Sequence, residues 1–326
     1  MTSIKGTCMQ MCPSEEIKMR KNKKLVHQLE VTAKNECDSK KMVKCFSRSA
    51  AGRVLNKPSL LRPPKVLSDT ITYLLKEVLP CTEVPFNVIY DFIDDRLNAV
   101  RQDATIQQVS DQIWVKILPP IVRFHAYAAY RCYNYDVNEF DPFLNLKHFH
   151  ECIFKLLKIM LEDSNKPIVD EKVCSEIVSL MVVTNLGNHD FLQQALPFIT
   201  KKCDLIRKSI MLSLNISNGY FGQLAKQYKE FPTLHQCVIA VQLPGLRRQF
   251  LEEISVAYNS KNNNLPILFL KESLLHDDDQ QILKECTHYG LKINDNKVEA
   301  TKSLFKNDVD EVKLLKQINV DCRLCL

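Results

Sequence analysis

Apolar residues recur at helical spacing along most of the chain. Leu67, Ile71, Leu74, Leu75 and Val78 fall on one stripe, with Ser68 as the expected N-cap and Pro80 as the stop. Pro85 opens a second stripe of Val88, Ile89, Phe92, Ile93, Leu97 and Val100. A third helix is expected from about Thr105 to Leu118. Pro119-Pro120 should break it and start a fourth, from Ile121 to about Tyr130. Asp141-Pro142 reads as an N-cap and first-turn pair ahead of Phe143–Met160. Further helices are expected near 168–186, 190–195, 200–213, 216–229, 233–242 and 246–258, with Pro244-Gly245 in a turn.

The period changes near the end. Lys261–Asn264 reads as a loop and Leu265–Leu270 as a short apolar segment. Asp277–Asp279 caps a helix with Ile282, Leu283 and Cys286 inside, ended by Gly290. Leu291–Ile293 and Lys297–Glu299 alternate around Asn294-Asp-Asn296, a β-hairpin pattern. The expected fold is mainly α: an α-solenoid of antiparallel helices ending in a winged-helix subdomain. The expected divisions are a basic N-terminal arm (1–65), the helical solenoid (66–260), the winged helix (261–310) and a tail (311–326).

Composition narrows the function. Only 7 glycines occur in 326 residues. Neither G-x-G-x-x-G nor the P-loop pattern is present, and a sandwich or barrel would need more tight turns. No apolar run approaches the ~18 residues of a membrane span, and MTSIKGTCMQ lacks the apolar stretch of a signal peptide. No membrane insertion is expected. The 13 cysteines read as reduced thiols, which suits the nucleus or cytoplasm. Cysteine is not fourth from the end, so CRLCL is no prenylation signal.

Charge is unevenly placed. Residues 1–65 carry 15 Lys and Arg against 5 Asp and Glu, and the other 261 residues carry 29 against 33. The densest stretch is Lys18, Arg20, Lys21, Lys23 and Lys24. Its apolar residues Ile17, Leu25, Val26 and Leu29 are too sparse for a core of its own. Such an arm attracts RNA or DNA, acidic lipid or acidic protein surfaces such as tubulin; equally, it can lie solvated along an acidic body. Arg247 and Arg248, before the last long helix, are further nucleic-acid candidates.

Reaction chemistry is sparse. Cys8-x-x-x-Cys12 and Cys322-x-x-Cys325 hold four thiols, but at opposite ends of the chain. His148 and Cys152 stand one helical turn apart with no third ligand evident. Asp94 and Asp95 point about 100° apart on a helix and do not converge. His125 in an apolar helix reads as a structural histidine. Asp95, Arg96, Arg101 and Asp103 read as a lock between adjacent helices. The aromatics Trp114, Phe124, Tyr127, Tyr130, Tyr133 and Tyr135 read as inter-helix core. No enzyme, cofactor or metal is expected.

One set of motifs comprises GTCMQMCPSEEIKMR (Gly6–Arg20), MVKCFSRSAAG (Met42–Gly52), LRPPKVLSDTITYLL (Leu61–Leu75) and YDFIDDRLNAVRQDATIQQ (Tyr90–Gln108). RFH (Arg123–His125) and FLKESLLHDDDQQILKECTHYGL (Phe269–Leu291) complete it. In this order the set resembles the Sac-three/GANP family of messenger-RNA-export scaffolds. Asn98 departs from the family, which often has arginine there. The chain resembles a short form, with little beyond the shared domain.

The resemblance implies a non-enzymatic PCI-type scaffold. Its implied partners are a second PCI-domain protein and a small acidic DSS-type peptide, in a TREX-type export complex at the nuclear pore. For the short form it also implies the alternative of centrosome duplication, spindle assembly and mitotic progression, with centrosome or spindle components as partners. A winged helix can offer its hairpin edge and apolar face to a partner. Ile293, Val298 and Phe305 are the candidate partner contacts. Lys292, Lys297, Lys302 and Lys306 are candidate phosphate contacts; alternatively they form a solubilising rim.

Overall fold

The computed structural model describes residues 4–32, 34, 36–47, 57–162, 169–199, 203–260, 264–313 and 320–321. Gly52, the end of the MVKCFSRSAAG motif, and Cys322 and Cys325 lie outside them. The described chain is mainly helical, with one small antiparallel sheet near its end. It divides into two compact units. One holds residues 1–128 and 137–169, the other 129–136 and 170–326.

The first unit begins with α1 (Ser14–Asn22) and a 3-10 turn at Gln28–Glu30 capped by His27, whose Nδ1 accepts from Leu29 N at 3.2 Å. Contrary to the sequence expectation, this basic segment holds a small core. Cys12, Ile17 and Met42 are buried together, with Val26 and Cys37 packed against them. Two of its members are cysteines and one is methionine, so a search for aliphatic spacing passes over it.

Helix α2 (Pro64–Tyr73) starts at Pro64 and continues as a π-helical turn over Leu74–Val78. Ser68 is therefore inside the helix, where its Oγ donates to Pro64 O at 3.3 Å, and not at the cap. A proline with preset φ at the first helical position makes an earlier start favourable. Helix α3 spans Phe86–Ile106.

Helix α4 (Asp111–Arg131) runs unbroken through Pro119-Pro120. An interior proline costs about 3 kcal/mol. Around it Ile117, Leu118, Ile121 and Val122 are all essentially inaccessible, and burying such side chains is worth ~1.5–3 kcal/mol each. Packing outweighs the break. Helix α5 (Pro142–Glu162) is capped as expected: Asp141 Oδ1 accepts from Phe143 N and Leu144 N at 2.9 and 3.0 Å.

The second unit is built on α6 (Glu171–Thr184), α7 (His189–Ala195), α8 (Asp204–Ser217), the short α9 (Leu224–Tyr228) and α10 (Thr233–Ala257). Buried Ser179 of α6 and Ser209 of α8 are hydrogen-bonded through their hydroxyls. Small residues at that contact let the two helices approach closely. Helix α10 passes through Pro244-Gly245 without the expected turn, again with buried neighbours, Leu243 and Leu246. Of the helix expected over 216–229, only α9 and a preceding 3-10 turn at Phe221–Gln223 form.

The winged-helix-like part follows. Strand β1 (Asn264–Pro266) leads into α11 (Ile267–Ser273) and α12 (Asp279–His288), then the hairpin β2 (Lys292–Asn294) and β3 (Lys297–Glu299). The strand order is β1-β3-β2, and Leu265 and Ile293 flank Val298. Asp295 and Asn296 both take positive φ, 46° and 59°, as a two-residue hairpin turn with the right twist requires. Gly290 ends α12 at φ 82°, where a Cβ would come within 2.3 Å of Leu304 O. The apolar segment read at 265–270 is thus two residues of strand followed by four of helix.

Candidate functional site

The N-terminal charges divide into two populations. Lys18, Lys21, Lys23 and Lys24 are exposed on and just after α1. Arg20, in their midst, is buried and ion-paired with the buried Glu30. The Glu30 carboxylate also meets Arg96 Nη2 at 3.5 Å and accepts from Val43 N and His27 N, both at 3.1 Å. A second carboxylate, Asp103, is wholly buried between Lys44 Nζ at 2.5 Å and Arg62 Nε at 2.7 Å. Gln107 extends this knot. It donates to Arg62 O at 2.8 Å and accepts from Gly6 N at 2.8 Å. Of the four charges read as a lock between adjacent helices, Arg101 does join α3 to Glu151 of α5 at 2.6 Å and Asp95 pairs with its neighbour Arg96, whereas Arg96 and Asp103 clamp the N-terminal segment onto α3.

This arrangement removes Arg20 from the set of accessible phosphate contacts: its guanidinium is spent inside. Arg247 is removed likewise. It is buried, and its Nε and Nη2 donate to the Leu274 and Leu275 carbonyls at 2.7 Å each. These carbonyls end the helix α11, and a guanidinium fork fits two successive oxygens. Arg248 is half-buried and donates to Asn307 O at 2.7 Å.

The wing separates its candidates in the same way. Lys292, Lys297, Lys302 and Lys306 are all exposed. Val298 is fully buried in the central strand, and Phe305 is buried with its ring stacked on Tyr289 at 5.6 Å. Those two hold the wing together and do not face a partner. A central strand in a three-stranded sheet turns its apolar side chain onto the helices, which the hairpin pattern alone did not place. Ile293 is half-buried on the edge strand β2. Leu268 and Phe269 on α11 are the exposed apolar residues that the sequence reading missed.

A third feature lies in the first unit. Asp94 of α3, His125 of α4 and His148 of α5 bring one carboxylate oxygen and two ring nitrogens within 4.8 Å of one another. His148 Nδ1 is 2.8 Å and His125 Nε2 3.9 Å from Asp94 Oδ1. Burial holds the His125 ring down at a pKa of about 4 against the opposing pull of Asp94. Asp94 and His148 also line a cavity of about 850 Å³, with Arg101, Trp114, Glu151 and Lys155 among its walls. Lys155 Nζ sits 3.3 Å from the centroid of the Trp114 ring. Asn98 donates to Asp94 Oδ2 at 3.1 Å. Cys152 is fully buried, and burial pushes its thiol up to about 11.

Among the described residues, no helix is long and apolar enough to cross a membrane. A family model described as the SAC3/GANP family matches residues 11–295. The chain is 26% identical over 308 residues to Protein xmas of Drosophila melanogaster, covering 90% of this chain and 15% of that protein. It is 25% identical over 347 residues to SAC3 family protein 1 of Schizosaccharomyces pombe, covering 98% of this chain and 34% of that one. To SAC3 family protein B of Arabidopsis thaliana it is 23% identical over 320 residues, with 93% and 18% covered. It thus spans from about a sixth to about a third of the length of these relatives.

Proposed function

This chain belongs to the SAC3/GANP family, a scaffold-type family, and on that premise we propose that it acts as a non-enzymatic scaffold for a TREX-type messenger-RNA export complex at the nuclear pore. The observation that carries the reading is the extent of the match. Residues 11–295 run from the ion-paired N-terminal segment through the helices into the wing, so the likeness rests on the folded chain and not on one motif.

The surfaces support the same assignment. Strand β2 is an edge of the sheet, open to pairing by a second chain. Half-buried Ile293 on that edge and exposed Leu268 and Phe269 on α11 supply apolar contact for a second PCI-domain protein. The exposed lysines of α1 and of the wing offer two phosphate-binding faces for RNA, or a complement to a small acidic DSS-type peptide. The test is depletion followed by rescue. Nuclear retention of polyadenylated RNA, corrected by the native chain but not by one with Lys292, Lys297, Lys302 and Lys306 changed to Glu, supports the export role. Normal export with failed centrosome duplication would favour the mitotic alternative instead.

A further inference from the structure

The Asp94–His125–His148 cluster has the donor set and the supporting bonds of a metal site, and we propose that it binds one divalent transition cation of the zinc class. The argument starts from the outer bonds. Asn145 Nδ2 donates to His125 O at 3.0 Å, which fixes its amide and leaves Oδ1 as the acceptor. That Oδ1 lies 2.9 Å from His125 Nδ1, so Nδ1 carries the ring proton. The lone pair of His125 is therefore on Nε2, the atom that faces Asp94 Oδ1. A ligating histidine held by its other N–H to an oxygen is the usual arrangement around zinc.

Asp94 is held in the same manner, since its Oδ2 accepts from Asn98 and its Oδ1 is turned to the two rings. Zinc takes nitrogen and oxygen ligands at ~2.0–2.2 Å, which sets ligand–ligand separations of roughly 3.3–3.5 Å in a tetrahedron. The observed 2.8 and 3.9 Å bracket that value, and a shift of the shared atom, Asp94 Oδ1, by roughly half an ångström from His148 toward His125 would equalise them. His148 now uses Nδ1 against Asp94. On binding, the Nδ1 lone pair turns to the cation and the neutral ring carries its proton on Nε2. The fourth position opens to the 850 Å³ cavity that Asp94 and His148 line, where water completes the shell.

The ligands come from α3, α4 and α5, at positions 94, 125 and 148. Only His148 and Cys152 share a helix, so sequence spacing pointed to the wrong pair. Cys152 is the fully buried member and is not part of the converging set.

The test is cobalt titration of the full chain after chelator treatment, followed by zinc competition. We expect one equivalent of Co²⁺ with visible d–d bands and without the sulfur-to-cobalt charge-transfer band that cysteine ligation gives. Asp94→Asn and His148→Ala, both at half-buried positions, should each weaken binding at least about 100-fold, and Asn145→Ala, outside the ligand set, about 10-fold. Circular dichroism establishes that the variants are folded. The proposal fails if the folded native chain takes up no metal, if the spectrum is that of thiolate ligation, or if Asp94→Asn and His148→Ala bind as the native chain does.

Discussion

Arg62 Nε lies 2.7 Å from Asp103 Oδ2, and neither side chain reaches solvent. The pair joins the LRPP motif to the arginine–glutamine–aspartate run of α3, across 41 residues of sequence. Lys44 takes the other oxygen of the same carboxylate. Three cations of what sequence counts as a basic arm, Arg20, Lys44 and Arg62, are therefore internal fastenings. The positive charge available to a partner from the described part of α1 and its exit is that of Lys18, Lys21, Lys23 and Lys24.

The Glu30 clamp should be costly to break. Replacing Glu30 by Gln removes the charge between Arg20 and Arg96 and, among the described residues, leaves Arg20 only its longer ion pair with Glu16 at 3.9 Å and Arg96 only that with Asp95. Breaking one side of such a buried pair costs about 3–5 kcal/mol. Chemical denaturation should show a loss of that order. Glu36→Gln, where no ion pair is formed among the described contacts, should be near neutral.

Gly6 tests the docking of the N-terminus on α3. A Cβ there would come within 2.4 Å of Leu61 O and 2.8 Å of Gln107 Oε1, while Gly6 N donates to that same oxygen. Gly6→Ala must displace backbone, at a cost of about 1–3 kcal/mol. Limited proteolysis should cut the N-terminal segment faster in the variant than in the native chain.

The exposed lysines should govern the salt dependence of RNA binding. Each phosphate contact on a single strand adds about 0.7 to the slope of log affinity against log salt. Changing Lys18, Lys21, Lys23 and Lys24 to Ala should lower that slope by up to about 3 without changing the melting temperature. Arg20→Ala should do the reverse: it lowers stability, because it strips Glu30 of a partner, and leaves the slope nearly unchanged.

Stability should fall in mild acid. Burial holds the His235 ring, which stacks on Phe231, at a pKa of about 4, against an ordinary 6.5. The unfolded chain takes up this proton first, so the stability is whole above about pH 6.5 and is lost as pH falls toward 4. The full effect is on the order of 3 kcal/mol. His125 is shifted in the same direction. Thermal melts between about pH 7 and pH 5 should show a falling midpoint, and His235→Leu should flatten that slope without abolishing it.

The sequence carried the mainly helical class, the α5 cap at Asp141, the α12 cap and the hairpin, because each depends on neighbours in the chain. It misplaced the boundaries at Pro119-Pro120 and Pro244-Gly245, where buried residues on either side outweigh the local cost of proline. It nominated Arg20 and Arg247 by charge alone. Their carboxylate and carbonyl partners lie 10 and 27–28 residues away, and no local pattern reports such distances. The His–Asp cluster was illegible for the same reason, since three helices supply its atoms. Val298 and Phe305 were apolar in the right segment, but alternation alone could not say which face of the wing the helices cover.

The most direct test of the scaffold account is affinity purification of the tagged chain at moderate salt, with mass spectrometry of what it retains. The account predicts a second PCI-domain protein and a small acidic chain in near-stoichiometric amounts, together with polyadenylated RNA that is released as salt rises. Recovery of centrosome or spindle components, with neither of those proteins and no RNA, would contradict it.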